Sequence, residues 1–159
     1  MKLGRSAHRL CFKAPGNETF SWLGDDIDDL SVAMNGSFET KKNIKEQTST
    51  TDNGYTPSIE VTPYYANPDD PFYEFIKNLA MKRLSGDECK AEYMEVIVED
   101  TEAATHEAYR EDCKIEIGDY GGGTDGFMIP FTIHPAGNRE EGTATFGAGG
   151  ITFAKGGRL

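Results

Sequence analysis

Strict alternation of apolar and polar residues recurs along this chain and is the pattern of half-buried β-strands. The first run begins at Leu30, where Val32, Met34 and Phe38 fall on one side. Runs of this kind cover 30–39, 59–62, 94–99, 113–117, 127–133 and 143–146. The glycine-rich stretch 118–126 separates two of them, so the sequence predicts that 113–117 and 127–133 pair as a hairpin.

A long polar connection, 40–56, lies between the first two runs and ends in the turn signal Asp52-Asn53-Gly54. Connections of this length in compact domains tend to be functional or disordered. We expect this one to project from the domain as a flexible or extended hairpin.

One helix is predicted over 70–85. Asp69 and Asp70 supply N-cap candidates, Pro71 suits the first helical position, and Gly86 can end the helix. Apolar residues follow at helical spacing at positions 72, 75, 76, 79 and 80. This apolar stripe indicates core packing rather than a cofactor site.

Strands around a single helix predict an α+β fold, either a β-sandwich or a half-barrel with the helix packed on it. At 159 residues the chain has the length of one domain. Residues 1–29 show no sustained period and are interpreted as an N-terminal arm and linker. The domain proper is predicted over 30–146, and the glycine-rich end, 147–159, is predicted to be a flexible or partner-ordered tail.

Charge is distributed unevenly around a net value of −11. The first 13 residues carry Lys2, Arg5, Arg9 and Lys13 with no acid, so the remaining residues have 12 bases against 27 acids. An acidic body repels the phosphate backbone and argues against a protein that grips nucleic acid. The basic segment could be a nucleic-acid tail, but we favour an arm that docks on an acidic neighbour.

Three cysteines without CxxC spacing indicate neither a disulfide framework nor a zinc site. The apolar run Leu10-Cys11-Phe12 is too short for a signal-peptide core, and no stretch approaches the ~20 apolar residues of a membrane span. We therefore expect a protein that is made and folded in a cytoplasm, with no membrane partner.

No catalytic, cofactor-binding or metal-binding residues are predicted. His8, His106 and His134 are scattered, without metal-ligand spacing. The aspartates of 25–29 resemble half of a calcium loop, but the required glycine and glutamate are missing. The stretch 118–126 lacks the Gly-Lys-Ser/Thr and the helix of a phosphate-binding loop. The sequence thus favours a protein that is not an enzyme.

Four segments resemble the major tail proteins of phages that infect Gram-positive bacteria. They are 35–44 (NGSFETKKNI), 49–59 (STTDNGYTPSI), 63–65 (PYY) and the helix start 70–72 (DPF). The likeness extends from about Leu30 to Phe146 and excludes both ends of the chain.

This resemblance implies a structural protein of the virion tail, assembled in the host cytoplasm. Such subunits form hexameric rings, whose sheets join into an inner barrel and whose long loops and termini stack the rings into a tail tube. The implied partners are further copies of the chain and the tail tip, tape measure and tail terminator proteins. DNA passes through such a tube without specific binding. Contractile and non-contractile tails both fit.

Two groups of residues are candidates for these roles. The long loop is expected to connect rings through the residues Lys41, Lys42, Ile44, Lys45 and Tyr55. Acidic residues on the polar faces of strands are expected to line the channel, chiefly Glu39, Glu60, Glu95 and Glu116. An ordinary solvated strand position is an equally good interpretation of each of these acids.

Two alternatives stay open from the sequence. The chain could be another virion component, such as a tail-completion or baseplate protein, which forms a single ring. It could also be a monomeric ligand-binding or carbohydrate-binding β-sandwich, for which Tyr64, Tyr65 and Tyr73 are the candidate aromatic patch.

Overall fold

The computed structural model describes residues 2–24, 27 and 29–156. These residues form one α-helix and ten β-strands. In chain order the elements are β1 (His8–Lys13), β2 (Ser21–Trp22), β3 (Val32–Ala33), β4 (Gly36–Lys42), β5 (Thr48–Tyr55), β6 (Ser58–Val61), α1 (Tyr73–Met81), β7 (Lys90–Ile97), β8 (His106–Ile117), β9 (Phe131–Gly147) and β10 (Gly150–Lys155). Short 3-10 turns occupy Arg5–Ala7 and Gly86–Cys89.

Eight of the strands form one antiparallel sheet in the order β2-β1-β7-β8-β9-β6-β3, with β10 paired to β9. The first part of β9 pairs with β6, and its last part pairs with β10. The register between β8 and β9 shifts between Arg110 and Cys113. Such irregularities bend a strand. The long pair β8 and β9 can therefore run through two halves of the sheet that curve differently.

At one end the sheet curls into a small barrel. Phe20, next to β2, exchanges two backbone hydrogen bonds with Ile151 of β10, of 2.8 and 3.0 Å. These bonds connect the two outer strands around β1, β7, β8 and β9. The enclosed core consists of Cys11, Phe20, Met94, Val96, Val98, Ala108, Ala144 and Ile151.

The helix covers the other face of the sheet. Its buried residues, Ile76, Leu79 and Ala80, pack on a larger core that includes Phe12, Tyr93, Ile115, Phe131 and Ile133. Mostly β structure with one packed helix confirms the predicted fold class.

The helix is shorter than the predicted 70–85 at both ends. It begins at Tyr73, with Phe72 at the N-cap position and no side-chain capping hydrogen bond, so the predicted N-cap at Asp69 or Asp70 and the first helical position at Pro71 are wrong. Asp70 Oδ1 accepts a hydrogen bond from the Phe72 backbone N–H at 3.0 Å. The helix ends at Met81 because the chain turns at Arg83, which has a φ of 52°. The Leu84 N–H then bonds back to the Leu79 carbonyl at 3.3 Å, which satisfies a helix-terminal acceptor before Gly86 is reached.

The predicted N-terminal arm, 1–29, is wrong for its central part. Strand β1 lies between β2 and β7 in the main sheet. Its apolar run is buried on both sides, because Leu10 and Phe12 join the core under the helix while Cys11 joins the barrel core. Three apolar residues are too few for a signal-peptide core, but they are enough for a strand that is buried on both faces.

The predicted C-terminal tail, 147–159, is likewise wrong where it is described, since β10 pairs with β9 over six residues. Glycine here serves close packing rather than flexibility. A side chain on Gly150, whose φ is 127°, would lie 2.5 Å from the Thr19 hydroxyl oxygen. Residues 157–159, and Asp25, Asp26 and Asp28 of the predicted linker, lie outside the described residues.

Candidate assembly surface

The predicted long connection is an extended hairpin. Strands β4 and β5 form a two-stranded sheet that is separate from the main one. Every residue of β4 is exposed. The hydrogen bonds and the ion pair that involve side chains of residues 37–54 all stay within the hairpin, in the part of the chain that the structure describes. The hairpin is therefore a projecting element rather than part of the packed domain.

The root of the hairpin is fixed to the main sheet through Asn35. This residue has a φ of 50°, which breaks the alternating run 30–39 into β3, in the main sheet, and β4, in the hairpin. Its Nδ2 donates to the Thr56 carbonyl at 3.0 Å and to Ser58 Oγ at 3.2 Å. The Tyr55 ring lies against Gly36, where an added Cβ would come within 3.1 Å of it. These contacts set the direction in which the hairpin leaves the domain.

The tip of the hairpin is also ordered by its own side chains. Asn43 Oδ1 accepts hydrogen bonds from the backbone N–H groups of Lys45 and Gln47, both at 2.9 Å. The Asn43 amide donates to Gln47 Oε1 at 2.9 Å. Short polar side chains that bond nearby backbone groups are the usual way to stabilise a tight turn. The tip therefore holds Ile44 in a defined position.

Large apolar side chains on the hairpin are left in solvent. Ile44 is 100% exposed, Phe38 63% and Tyr55 58%. Transfer of one such side chain out of water is worth about 1.5–3 kcal/mol. Apolar side chains that recur along one projecting element favour an interaction surface.

All five predicted loop residues lie on this hairpin, but the structure separates them. Tyr55 is at the root, Lys41 and Lys42 lie on β4, and Ile44 and Lys45 are at the tip. The Lys41 ammonium is 3.4 Å from Glu39 in an exposed pair. Glu39, predicted as a channel residue, therefore belongs to the hairpin and not to the main sheet.

Glu60 and Glu116 are brought into one row on the main sheet. Thr132 of β9 is the register partner of both, so the two carboxylates lie on the same face with one residue between them. This face is opposite the helix, because the neighbouring residues Ile59 and Ile115 point into the core beneath it. Glu116 also accepts a hydrogen bond from His134 at 3.0 Å if that ring nitrogen carries the proton.

Glu95 does not belong to that row, because it lies on the face that carries the helix. Its carboxylate bonds His8 Nε2 at 2.9 Å and Arg139 Nη2 at 3.2 Å. Burial alone would raise the pKa of Glu95, but the hydrogen bond with His8 and the charge of Arg139 outweigh burial and lower it. The four predicted wall residues therefore do not form one surface.

The basic residues of the predicted docking arm are largely used inside the molecule. Arg5 donates to the carbonyls of His8 and Leu30, both at 2.6 Å. The Arg9 guanidinium stacks 4.2 Å from the centre of the Trp22 ring. Lys13 pairs with Glu92 at 2.8 Å. Three of the four basic residues thus stabilise the N-terminal strand. The prediction of an arm that docks on an acidic neighbour is therefore wrong for this segment.

A row of alternating charges was missed from the sequence. It crosses five strands, running from Lys13 (β1) through Glu92 (β7), Arg110 (β8) and Glu140 (β9) to Lys155 (β10). The hydrogen bond from Lys155 lowers the pKa of Glu140. The five positions become neighbours only through strand register, so spacing along the chain gives no signal of them.

A pocket beside β1 and β2 was also missed. It has a volume of about 290 Å³, and we call it the N-terminal pocket; its apolar lining is Leu10, Trp22, Leu23, Ile27 and Leu30, and Arg5, Ser6 and His8 also line it. Leu10, Leu23 and Leu30 are buried, whereas Trp22 is 49% exposed. The only sequence signal was the isolated apolar residue Ile27 within a run of aspartates.

The candidate aromatic patch is brought together only in part: Tyr64 and Tyr65 line a small concavity of about 150 Å³ that Trp22 also lines, and Tyr73 is not among its lining residues. Tyr64 is 3% exposed, its hydroxyl donates to Asp70 at 2.8 Å, and its ring packs edge-on against Phe131. The Tyr73 ring faces the Lys77 ammonium at 5.4 Å. Of these rings, Tyr64 is too deeply buried for a sugar to stack on it.

Few side chains in the described part of the chain have the reactivity or the grouping that catalysis or metal binding needs. Burial raises the pKa of the Cys11 and Cys113 thiols to about 12, so both are protonated at neutral pH. His106 packs against Phe146 with ring centres 5.1 Å apart. No group of three or more His, Cys, Asp or Glu side chains among the described residues is arranged to hold a metal ion.

Comparison with protein-family models and with curated proteins found no match for this chain. Among the residues that the structure describes, no helix has both the length and the apolar character needed to cross a bilayer.

Proposed function

We propose that this protein is the subunit of a phage tail tube, with a structural rather than a catalytic role. Copies associate into rings, the rings stack, and the resulting tube conducts DNA during ejection. The resemblance of 35–44, 49–59, 63–65 and 70–72 to major tail proteins supports the family, and the fold is compatible with it.

The observation that carries the proposal is the projecting hairpin. Its strands pair only with each other, its root is fixed by Asn35, its tip is ordered by Asn43, and Ile44 is fully exposed. A domain gains no stability from an ordered apolar element held away from its core. Such an element has a purpose when another molecule covers it.

The partner that suits this element best is another copy of the chain. The segment 40–56 carries three lysines against two acids, whereas the chain as a whole has a net charge of −11. Opposite charge steers encounter and register, although each exposed pair adds only about 0–1 kcal/mol. The binding energy must then come from backbone pairing and from burial of Ile44 and Tyr55.

The row formed by Glu60 and Glu116 is the proposed contribution of each subunit to the channel wall. A negative surface repels the phosphate backbone, which avoids the counterion release that would hold DNA in place. The tail tip, tape measure and terminator proteins are the remaining proposed partners, and the virion tail is the proposed location.

Electron microscopy of the purified protein tests this function. Concentrated protein, with and without a tail-tip complex as template, should give tubes with a central channel. Rings that never stack would favour a tail-completion or baseplate component instead. Monomers at every concentration, with the template present, would contradict the proposal.

A further inference from the structure

The hairpin carries the longest unpaired strand edges in the described part of the chain. Strands β4 and β5, of seven and eight residues, pair with each other and with no other described strand. The outer strands of the main sheet, β2 and β3, have two residues each, and β10 is tied to Phe20 by two backbone hydrogen bonds. Proteins usually keep their sheet edges short or covered in this way, because an exposed edge is a template for another strand.

Another open stretch of the main sheet is unsuited to pairing. It lies in β9, between the part that pairs with β6 and the part that pairs with β10. Pro135 has no N–H to donate there, and Gly137 and Asn138 have φ values of 101° and 59°. A regular strand does not follow a backbone that bends in this way. The two hairpin edges are therefore the best places for the described chain to accept a strand.

Backbone hydrogen bonds at the tip show which residues point outward from the hairpin. The Asn43 N–H donates to the Gln47 carbonyl at 3.0 Å. Hydrogen-bonded and non-hydrogen-bonded pairs alternate along an antiparallel ladder, so Thr40 and Thr50, three pairs further on, form a non-hydrogen-bonded pair. Their backbone N–H and C=O groups point away from each other, into solvent. Each edge thus offers free donors and acceptors to another strand.

The two edges differ in charge. Strand β5 contains no lysine and no proline, the residues that often keep an exposed edge from pairing. Its charged residue is Asp52, whereas β4 carries Lys41 and Lys42 against Glu39. The edges have opposite net charge, so each suits the other edge better than a second copy of itself. Complementary charge of this kind fixes orientation and register.

The exposed aromatic side chains of the hairpin lie on one face. Gly36 and Phe38 are two residues apart on β4 and point the same way, and Tyr55, the partner of Gly36, lies against it. Phe38 is 63% exposed and Tyr55 58%. When β5 of one hairpin lies level with β4 of another, Tyr55 and Phe38 become diagonal neighbours, at a distance that aromatic side chains span. Edge pairing between hairpins therefore covers both rings.

We propose that strand β5 of one copy pairs antiparallel with strand β4 of the next copy around the ring. The inference rests on the proposed tube and names the contact by which neighbouring hairpins join. Hairpins that project in the same direction place Thr50 of one copy beside Thr40 of the next. The contact uses two different edges, so a rotation can close it into a ring in which no hairpin edge stays free. The Ile44 tips remain at the rim of that ring, where the next ring can cover them.

Proline substitution tests the two edges on the full-length protein. Thr50→Pro and Thr40→Pro each remove an outward N–H without breaking a backbone hydrogen bond inside the hairpin. Each should reduce the yield of sedimented tubes by roughly tenfold or more, because every copy loses a hydrogen bond and leaves its acceptor unpaired. Thr50→Ala and Thr40→Ala keep the N–H and are the matched controls, which should assemble normally. Far-UV circular dichroism checks that all four variants fold.

Disulfide formation identifies the partner strand without any proline. Thr40→Cys and Thr50→Cys proteins are mixed, assembled and then oxidised. Both also carry Cys89→Ser, because Cys89 is partly exposed whereas Cys11 and Cys113 are buried. Paired residues on adjacent strands have Cα atoms about 5.5 Å apart, within the range of a disulfide. We expect disulfide-linked dimers from the mixture and none from either protein alone.

The possible results separate this contact from the tube itself. Wild-type tubes would leave the tube standing and overturn the edge pairing if the mixture gave no disulfides or if either proline variant assembled at wild-type yield. Dimers from the Thr50→Cys protein alone would show that β5 pairs with β5 of its neighbour, which also contradicts the proposal. Absence of any wild-type assembly, with the tail-tip template present, would overturn both.

Discussion

Asn43 and Gln47 are joined by three hydrogen bonds across the hairpin tip. Asn43 Oδ1 accepts from the Gln47 backbone N–H and the Asn43 side-chain amide donates to Gln47 Oε1, both at 2.9 Å, and the Asn43 backbone N–H donates to the Gln47 carbonyl at 3.0 Å. Glu46, between them, has a φ of 63°. An ordered tip loses less conformational freedom on binding than a mobile one.

Replacement of Asn43 by alanine should therefore slow assembly without affecting folding. The substitution removes three hydrogen bonds in an exposed turn, and we expect a cost of about 1 kcal/mol in association, or roughly fivefold. Light scattering during tube growth measures the rate. Thr50→Ala, which removes only a 3.5 Å contact with Thr40 on the same hairpin, should assemble normally. Equal rates for Asn43→Ala and the wild type would show that the tip is not a preorganised contact.

The row of alternating charges from Lys13 to Lys155 should contribute to stability mainly through its central residue. The Arg110 side chain is only 18% exposed and pairs with Glu92, Asp112 and Glu140. Arg110→Met leaves three carboxylates close together, so the free energy of unfolding should fall by about 2–3 kcal/mol. Lys155→Met, at the 74% exposed end of the row, should cost less than about 1 kcal/mol. Urea unfolding of both variants makes the comparison; similar losses would mean that the row acts only as separate surface pairs.

The lowered pKa of Glu95 predicts that the folded protein loses stability in acid. Its pKa is lowered in the folded protein, so its contribution to stability is present above the unfolded pKa of about 4.3 and is lost as the pH falls through the folded value. Arg139→Met removes one cause of the lowering and should move the midpoint of acid unfolding to higher pH. Lys90→Met, which removes the exposed pair with Asp87, is the control. An unchanged midpoint in Arg139→Met would show that this pairing does not stabilise the fold.

Much of the fold follows from local pattern, and its limits have physical causes. Alternation predicted strands near β6, β7 and β8, and apolar residues at helical spacing predicted α1, because these signals are local. Strand β1 was missed because Leu10-Cys11-Phe12 is buried on both sides and so shows no alternation. Strand β10 was missed because Gly142 and Gly150, which allow close packing against neighbours, resemble flexible glycines in sequence.

The candidate surface was predicted less completely than the fold. The hairpin could be located from its polar composition and flanking strands. The separation of Glu95 from Glu60 and Glu116 depends on which face of the sheet the helix covers. The N-terminal pocket combines residues from 5 to 30 that approach one another only after β1 enters the sheet.

The proposed channel surface predicts an effect of charge on DNA. Glu60→Lys combined with Glu116→Lys reverses the exposed row without touching the core. Tubes should still form, but they should retain short double-stranded DNA that wild-type tubes release, and added salt should abolish the retention. Glu39→Lys, on the hairpin, should not cause retention. A double variant that releases DNA like the wild type would place the row outside the lumen.

The most direct test of the central claim is the yield of tubes from a protein with a shortened hairpin. Residues 40–50 are replaced by Asn-Gly, which closes the hairpin after the pair Glu39 and Thr51 and retains the root contacts of Asn35 and Tyr55. Far-UV circular dichroism and the melting temperature of the monomer should stay close to wild type, because the removed segment contributes no buried side chain. Electron microscopy should then show tubes from the wild type and none from the shortened protein. Normal-length tubes from the shortened protein would contradict the account.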